Sequence, residues 1–364
     1  MRDALVAQDL ATTSQVVDSY KYAASMVSRV VSNGYIGMVK TIPQMYRFLY
    51  SRAERATEVG PFRNWIHQFT ATNLRSLMER TKPEVVVCTH AFPCGVMSEY
   101  KKEFADAPPV FGVVTDFVVH SFWIHRNIDG YAVATSEMRT ALRARGVQSK
   151  RIIVSGIPID QRFGRQPGDR EVLRDRLGIP SDRFAVLMMG GGLGIGPLVM
   201  MMRALDSVKA PVSATVIAGR SEVQQQRILE AAQHVNYPVR VLRFVNNVYD
   251  YMHASDVLLS KPGGLTSAEA LASGLPMILV RPLPGQEERN TRYLVERKAA
   301  RRSKGERDLA SAVQEILENP KRRESMRAAA LALGKPDAAA DIARFILQTS
   351  RPPEERTPEN ALRN

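Results

Sequence analysis

The sequence predicts an α/β protein with two parallel-sheet domains. Nine short apolar runs alternate with segments of helical pattern, which is typical of βα units on a parallel sheet. The runs are almost continuously apolar, as expected of strands that are covered on both faces. A polar stretch at 161–183 interrupts the alternation. We therefore expect two Rossmann-like domains that face a cleft, with ligands at the carboxyl ends of the strands.

Four runs precede the polar stretch and five follow it. The first set is Glu84–Thr89, Val110–Thr115, Tyr131–Thr135 and Arg151–Ser155. The second set is Phe184–Met189, Ser213–Ala218, Arg240–Phe244, Val257–Ser260 and Pro276–Val280. We expect an N-terminal domain over 1–160, a C-terminal domain over 161–345, and a disordered tail over 346–364, which is rich in Pro and charge.

The N-terminal domain lacks the expected opening. Such a domain normally begins with a strand and a Gly-rich turn, but 1–9 has a helical pattern and Ser14–Val17 would be the second strand. We therefore expect the first βα unit of this domain to be missing from the chain.

The composition of the chain favours some classes of binding partner and one type of cellular compartment. Among 364 residues, 50 Lys and Arg exceed 37 Asp and Glu, for a net charge of +13, which favours phosphates or an anionic membrane surface. The basic residues are dispersed and no reader module is present, so nucleic acid is not expected. Only Cys88 and Cys94 are present, which favours a reducing, cytosolic compartment. Apolar windows are too short to span a bilayer, so membrane contact would be peripheral.

The turn Lys261-Pro262-Gly263-Gly264 lies between a predicted strand and a helix. Glycines let the backbone approach a ligand closely, and a helix start offers free N–H groups and a positive dipole end. This combination suits a diphosphate. Glu269 lies one turn further on, where a carboxylate can accept hydrogen bonds from ribose hydroxyls. The alternative is a tight turn followed by a solvated helix residue.

A second glycine-rich turn follows the strand at 184–189 and contains Gly191, Gly192 and Gly194. It resembles a dinucleotide fingerprint, but the next strand is followed by Gly219 and Arg220 rather than an acid, which argues against NAD. Two such turns fit a nucleotide diphosphate. We expect neither a cofactor nor a metal.

Other polar residues follow predicted strands. Gln286 and Glu287 come after the ninth run and suit the hydroxyls of a sugar; the alternative is an exposed polar loop. Asp116 and His120 follow the second run and suit a general base and its orienting partner, although single residues of this kind are more often structural. His90, which follows the first run, is placed similarly.

The segment Tyr35–Arg55 interleaves aromatic, Met and basic residues. This mixture suits a helix that lies in a bilayer interface. The alternative is a core helix whose Arg groups reach the solvent.

Together these segments resemble the family of monogalactosyldiacylglycerol synthases and processive diacylglycerol beta-glucosyltransferases, in glycosyltransferase family 28. They are similar, more distantly, to the peptidoglycan enzyme that adds N-acetylglucosamine to a lipid-linked acceptor. The resemblance spans about 16–300 and rests on Thr115-Asp116-Phe117 with His120 and Trp123, Ser155-Gly156-Ile157-Pro158, Gly190–Pro197, Lys261–Gly264, Ala268-Glu269-Ala270 and Pro284–Glu287.

The resemblance implies a GT-B fold, with the lipid acceptor at the N-terminal domain and the nucleotide sugar at the C-terminal domain. It implies that Gly263, Gly264 and Thr266 hold the diphosphate, and Glu269 the ribose. By the same likeness, Phe244 and Val245 border the uracil, and Gln286 and Glu287 hold the hexose. The remaining residues expected at the nucleotide sugar are Gly191, Gly192, Gly194, Arg220 and Lys261. The family inverts the anomeric carbon without a chelated metal.

Two segments depart from the family pattern. The family has a Gly-Gly-His-type turn in its first βα unit, with a histidine proposed as catalytic. This chain has no counterpart of that turn, which would precede Met1. At 297–302 a basic run replaces a Gly-containing turn, and it would contact anionic lipid or form a solvated face.

We therefore expect a transferase that moves a hexose from a UDP-sugar to diacylglycerol or a glycolipid, peripheral on the cytoplasmic face of the cell membrane. The alternatives are a UDP-N-acetylglucosamine lipid-linked transferase, a UDP-sugar epimerase on the same scaffold, and a non-catalytic UDP-binding relative.

Overall fold

The computed structural model describes residues 1–19, 74–165, 168–191 and 196–350. It divides into two units, one formed by Met1–Pro158 with the segment from Asp337 onward, the other by Ile159–Pro336. Each unit is a parallel sheet with helices, so the predicted two-domain α/β architecture is confirmed.

The first unit contains a four-stranded sheet in the order β1-β2-β3-β4. All neighbouring pairs are parallel. The strands are β1 (Val86–Cys88), β2 (Val110–Val113), β3 (Gly130–Val133) and β4 (Ile152–Val154). Its helices are α1 (Arg2–Gln8), α2 (74–81), α3 (Ala91–Glu103), α4 (Ser136–Arg143) and α13 (Ala338–Ser350). The expected strand at Ser14–Val17 is absent from this described part of the chain, where Val16 and Val17 are exposed.

Both ends of the described chain pack on this sheet. Leu5 of α1 and Ile342 and Ile346 of α13 form one buried cluster with strand residues. The ring of Phe345 meets that of Phe111 edge-on, with centroids 5.9 Å apart. Residues 337–350 therefore belong with the first unit, whereas the sequence assigned 337–345 to the C-terminal domain and 346–350 to a disordered tail. The apolar face of α13 packs against strand residues more than two hundred positions earlier in the chain. Because these partners are so distant in sequence, the local pattern did not indicate the unit to which α13 belongs.

The second unit contains a six-stranded parallel sheet in the order β10-β9-β8-β5-β6-β7. The strands are β5 (Phe184–Met189), β6 (Val212–Ile217), β7 (Val239–Leu242), β8 (Val257–Ser260), β9 (Met277–Val280) and β10 (Ala300–Ser303). The helices are α5 (Arg170–Leu177), α6 (Leu198–Leu205), α7 (Glu222–Ala232), α8 (Val248–Ala254), α9 (Gly264–Ala272), α10 (Gln286–Glu296), α11 (Glu306–Glu318) and α12 (Pro320–Leu333).

All nine predicted apolar runs overlap a strand, but β10 was not predicted. Its sequence, Ala-Arg-Arg-Ser, carries two charges, and a strand at the sheet edge tolerates charge because one side is open. Arg301 lies 2.8 Å from Asp308 and 3.2 Å from Glu315. The basic run at 297–302, expected to contact anionic lipid or to form a solvated face, is therefore partly an edge strand in which Arg301 is paired with acids of α11.

An acidic residue with a side chain that is only 10% exposed joins four elements of the second unit. Asp256, directly before β8, accepts a hydrogen bond from the amide of Ala185 in β5 at 2.8 Å. Its two carboxylate oxygens lie 2.9 Å from Arg170 and 2.7 Å from Arg174 of α5. Both arginines also donate to carbonyl groups at the end of α8. Burial opposes ionisation, but the charges of the two arginines and the Ala185 amide outweigh it and hold the pKa of Asp256 below its usual value.

We expect Asp256→Asn to lower the free energy of unfolding of the second unit by about 3 kcal/mol, because it leaves the buried Arg174 and the partly exposed Arg170 without their carboxylate. Asp182→Asn is the matched control, since Asp182 is 76% exposed and lies 4.0 Å from its arginine; it should cost less than about 0.5 kcal/mol. Urea denaturation measures both. Equal losses in the two variants would contradict this role of Asp256.

Candidate functional site

The carboxyl ends of five strands in the second unit lie in one row. The residues at or next to these ends are in register: Leu279 pairs with Ser260, Ser260 with Met189, Met189 with Ile217, and Ile217 with Leu242. Neighbouring strands are about 4.8 Å apart, so the row is about 19 Å long. The chain builds the sheet outward from β5 in both directions, which places a topological switch point between β5 and β8. Ligands of open parallel sheets bind at such a point.

The turn after β8 leaves a helix start open. Gly263 is the N-cap residue of α9 and supplies no side-chain hydrogen bond. A Cβ atom placed on Gly263 would meet no heavy atom within 4 Å, so the approach to these amides is open. The amides at the start of α9 are therefore available to an anion at the positive end of the helix dipole. Gly264 and Thr266 lie in this first turn of α9.

A residue that sequence reasoning missed holds this turn in place. Asn290 of α10 is fully buried, and its side-chain amide donates to the Pro262 carbonyl at 3.1 Å. The buried donor ties the turn after β8 to the helix after β9. In the sequence, the available indication of this role was that Asn290 lies four residues after Gln286, on the same face of the helix.

The turn after β5 presents a second open helix start beside the first. Gly191 has a positive φ of 78°. A Cβ atom on Gly196 would lie 2.6 Å from the Gly190 Cα, so only glycine fits there. α6 begins after Pro197 without a side-chain cap, beside a cavity of about 400 Å³ that Arg203 and Arg281 help to line. The predicted Gly192 and Gly194 lie outside the described residues.

Glu269 lies one turn into α9, as predicted, and is half-buried. Burial raises its pKa to about 7, and the negative charge of Asp160 adds to the shift. A carboxyl group in this state changes its charge near neutral pH, which is typical of residues at binding or catalytic sites.

Lys261, which follows β8, lies close to Glu287, which is in the helix that follows the neighbouring strand β9. The Lys261 Nζ atom lies 3.9 Å from Glu287 Oε1, and both side chains are about one-fifth exposed. The other Glu287 oxygen accepts a hydrogen bond from the Leu283 amide at 2.7 Å. Gln286 and Glu287 open α10 directly after Gly285, whose φ is +98°. The predicted sugar-binding pair therefore lies one strand away from the turn at Gly263.

Arg220, Phe244 and Val245 lie at the other end of the row. The Arg220 guanidinium is stacked over the Phe244 ring, 4.4 Å from its centroid, and Phe244 is 47% exposed. β7 is three strands away from β8, a distance of about 14 Å. Along this edge the structure thus places an exposed aromatic ring at one end, two open helix starts in the middle, and an acid-amide pair at the other.

In the first unit, Asp116 and His120 follow β2. Asp116 is half-buried, and His120 is 2% exposed. The His120 Nδ1 atom accepts a hydrogen bond from the Phe122 amide at 3.1 Å. In the neutral ring the proton is then on Nε2, so His120 could act as a base only after this bond breaks. Asp116 is therefore the more accessible proton acceptor in the described geometry.

A buried tyrosine holds the same loop. The Tyr131 hydroxyl donates to the Trp123 carbonyl at 2.9 Å and accepts from the His125 amide at 3.1 Å. His90, after β1, caps α3 by accepting from the Phe92 amide. Because β1 and β2 are parallel neighbours, His90 and Asp116 lie at the same edge of the first sheet.

The segment Tyr35–Arg55, predicted to lie in a bilayer interface, is outside the described residues. In the parts of the chain that the structure describes, no helix has both the length and the apolar content needed to cross a membrane.

We expect Glu269→Gln to raise the free energy of unfolding at about pH 8 by about 2 kcal/mol and to change it little at about pH 5. The folded-state pKa of Glu269 is about 7, above its usual 4.5. The wild-type stability from this group is therefore full below pH 4.5 and is lost as the pH rises through 7. Urea denaturation at both pH values measures the effect, with the exposed Glu296→Gln on α10 as control. A pH-independent difference would contradict it.

Comparison with known proteins gives two family-model matches and a set of similar enzymes. Residues 3–159 match the model for monogalactosyldiacylglycerol (MGDG) synthase, and residues 185–342 match the model for the glycosyltransferase family 28 C-terminal domain. The chain is 26% identical to the processive diacylglycerol beta-glucosyltransferase of Bacillus cytotoxicus over 333 residues, which cover 92% of this chain and 85% of the relative.

Two solved structures share the fold. MurG of Acinetobacter baumannii has a TM-score of 0.56 and 17% identity, with 78% of each chain covered. Anabaena Alr3699/HepE in complex with UDP has a TM-score of 0.55 and 16% identity, with 76% of this chain and 80% of that one covered. The chain therefore has the GT-B fold, and it is a UDP-sugar glycosyltransferase similar to monogalactosyldiacylglycerol synthases and processive diacylglycerol glucosyltransferases.

Proposed function

We propose that this glycosyltransferase moves a hexose from a UDP-sugar to diacylglycerol or a related glycolipid, with inversion at the anomeric carbon. The observation that carries the donor half of this proposal is the pair of open helix starts at the switch point between β5 and β8. Two sets of unpaired amides at positive dipole ends suit the two phosphates of a nucleoside diphosphate. The relative from Bacillus cytotoxicus supports the acceptor half, since its name specifies diacylglycerol.

In this proposal, the UDP-sugar donor lies along the row of strand ends. The diphosphate lies on the amides at Gly263, Gly264 and Thr266, with Lys261 beside it. Glu269 accepts hydrogen bonds from the ribose hydroxyls. The uracil lies by Phe244 and Val245 with Arg220, and Gln286 and Glu287 hold the hexose. Along about 19 Å of sheet edge, the residues assigned to the uracil, the diphosphate and the hexose follow one another in the order of these groups in a UDP-sugar.

The reaction needs a proton acceptor and a site for the leaving charge. The acceptor hydroxyl attacks C1 of the hexose on the face opposite to UDP, and the bond from C1 to the phosphate oxygen breaks. Asp116, or His120 after release of its Nδ1 bond, takes the hydroxyl proton. The helix-start amides stabilise the negative charge that grows on the diphosphate, a role that needs no metal.

The lipid acceptor requires a membrane surface. The net charge of +13 favours an anionic bilayer, and the segment Tyr35–Arg55 has the composition of an interfacial helix. We therefore propose peripheral binding at the cytoplasmic face of the cell membrane.

The three alternatives from the sequence are distinguished by substrate. A UDP-N-acetylglucosamine transferase would use a different lipid acceptor, an epimerase would need no acceptor, and a binding protein would transfer nothing. The two family models match 3–159 and 185–342, and this joint match favours the diacylglycerol transferase.

A transfer assay tests the function directly. With vesicles that contain diacylglycerol and anionic lipid, we expect radiolabelled UDP-glucose or UDP-galactose to yield a β-linked glycolipid. Interconversion of UDP-N-acetylhexosamines without lipid would favour the epimerase. UDP binding without any glycolipid product would favour the non-catalytic relative. Either result would overturn the proposal.

The open space over Gly263 permits a sharper test of the donor site. Gly263→Ala should raise the dissociation constant for UDP at least about tenfold, because the methyl group would occupy the space over the amides. The fold should tolerate it, since φ is −68° and no atom lies within 4 Å of the new Cβ. Gly168→Ala, which also meets no neighbour, is the control. Calorimetry with unchanged UDP affinity in Gly263→Ala would remove this turn from the site.

A further inference from the structure

A fixed ion pair lies next to the candidate ribose-binding residue. The Arg162 guanidinium contacts both oxygens of Asp160, with Nε 3.0 Å from each and a terminal nitrogen 2.6 Å from Oδ2. Arg162 also donates to the Tyr249 hydroxyl at 2.9 Å and stacks over that ring at 4.4 Å. The Asp160 carboxylate is therefore held in one place, although both side chains are partly exposed.

The turn that carries this pair is attached to the helix that carries Glu269. Residues Gln161–Phe163 form a 3₁₀ turn, with Asp160 as its N-cap. The Phe163 carbonyl accepts a hydrogen bond from Ser273, at the end of α9, at 3.1 Å. Phe163 is buried and meets Tyr249 edge-on, with centroids 6.1 Å apart. Asp160 is therefore held against α9.

Other charged groups lie on α12 and on the other elements of this unit near α9. On α12, which packs against α9, Arg322 pairs with Glu315 at 3.0 Å and Arg323 lies over Phe184. The remaining charged residues of α12 are Lys321, Glu324 and Arg327. Those nearby on other elements are Arg165, Asp250, His253, Lys261 and Glu287. Within the described residues, Asp160 is the charge that acts on Glu269, after burial.

We propose that Asp160 and Arg162 are positioning residues that set the charge of Glu269, so that donor affinity responds to pH near neutrality. Asp160 disfavours the ionised form of Glu269, and Arg162 offsets part of that effect. This inference rests on the proposed role of Glu269 at the ribose. An ionised carboxylate forms stronger hydrogen bonds to hydroxyl groups than a protonated one does, so UDP affinity falls as the pH falls through the titration of Glu269.

Two variants that break the same ion pair should have opposite effects. Asp160→Asn removes the negative charge and should shift the midpoint of the pH dependence of UDP affinity downward. Arg162→Gln removes the cation that is hydrogen-bonded to Asp160 and should shift the midpoint upward. Structural damage from losing the pair would be common to both variants and would not change sign between them. Asp160→Glu keeps the charge and should restore a midpoint close to that of the wild type.

Calorimetry with UDP from about pH 5.5 to about pH 8.5 measures these midpoints, and added salt should reduce the differences because both side chains are partly exposed. We expect the wild-type midpoint near 7, and Glu269→Gln should remove the dependence. Shifts in the same direction, or no shifts, for Asp160→Asn and Arg162→Gln would overturn the inference while leaving the proposed function intact.

A ligand-free measurement separates the two proposals. Carbon-13 NMR of the labelled Glu269 carboxyl group reports its titration in the unliganded wild type and in both variants. Opposite shifts there support the inference even if UDP does not bind, in which case the proposed function alone fails. Unshifted titrations overturn the inference even if UDP binds as expected.

Discussion

The pairing of β5 with β8 is the constraint on which the second unit depends. It places Met189 opposite Ser260 and so brings two glycine-rich turns, 70 residues apart in sequence, to neighbouring positions on one edge. Asp256 stabilises this pairing because it directly precedes β8 and accepts a hydrogen bond from the amide of Ala185 in β5. The two arginines that balance its charge come from α5. One network of hydrogen bonds and ion pairs thus maintains the register of the sheet and the position of the two glycine-rich turns.

The proposed function and the stability of the fold oppose each other at Glu269. A carboxyl group whose pKa is raised to about 7 by burial destabilises the folded state when it is ionised. In the proposed function the ionised form is the one that binds the ribose hydroxyls, so binding favours the form that folding disfavours. Other acids in this unit are stabilised in the ordinary way: Asp256 lies between two arginines, and Asp308 accepts hydrogen bonds from Arg301 and the Lys304 amide.

In the first unit, helices cover both faces of the sheet. Its four strands are short, and the face that carries Phe111, Val113 and Ala132 is covered by helices from both ends of the described chain. Gly130 fits there because a Cβ would lie 2.7 Å from the Phe111 ring. The opposite face packs against α2, α3 and α4, and the loop that carries Asp116 is anchored by the buried hydroxyl of Tyr131.

The fold class, the nine apolar strands and the two glycine-rich turns were predictable from the sequence, because apolar runs and glycines record local requirements of buried strands and tight turns. The order of the motifs also indicated the resemblance to known glycosyltransferases. The remaining features follow from contacts made in the folded structure. The strand at Ala300–Ser303 depends on ion pairs with α11, the place of α13 depends on contacts with the first sheet, and the roles of Asn290 and Asp160 depend on residues distant in sequence. Such contacts leave no periodic signal, since burial and charge pairing between remote segments are set by the folded arrangement alone.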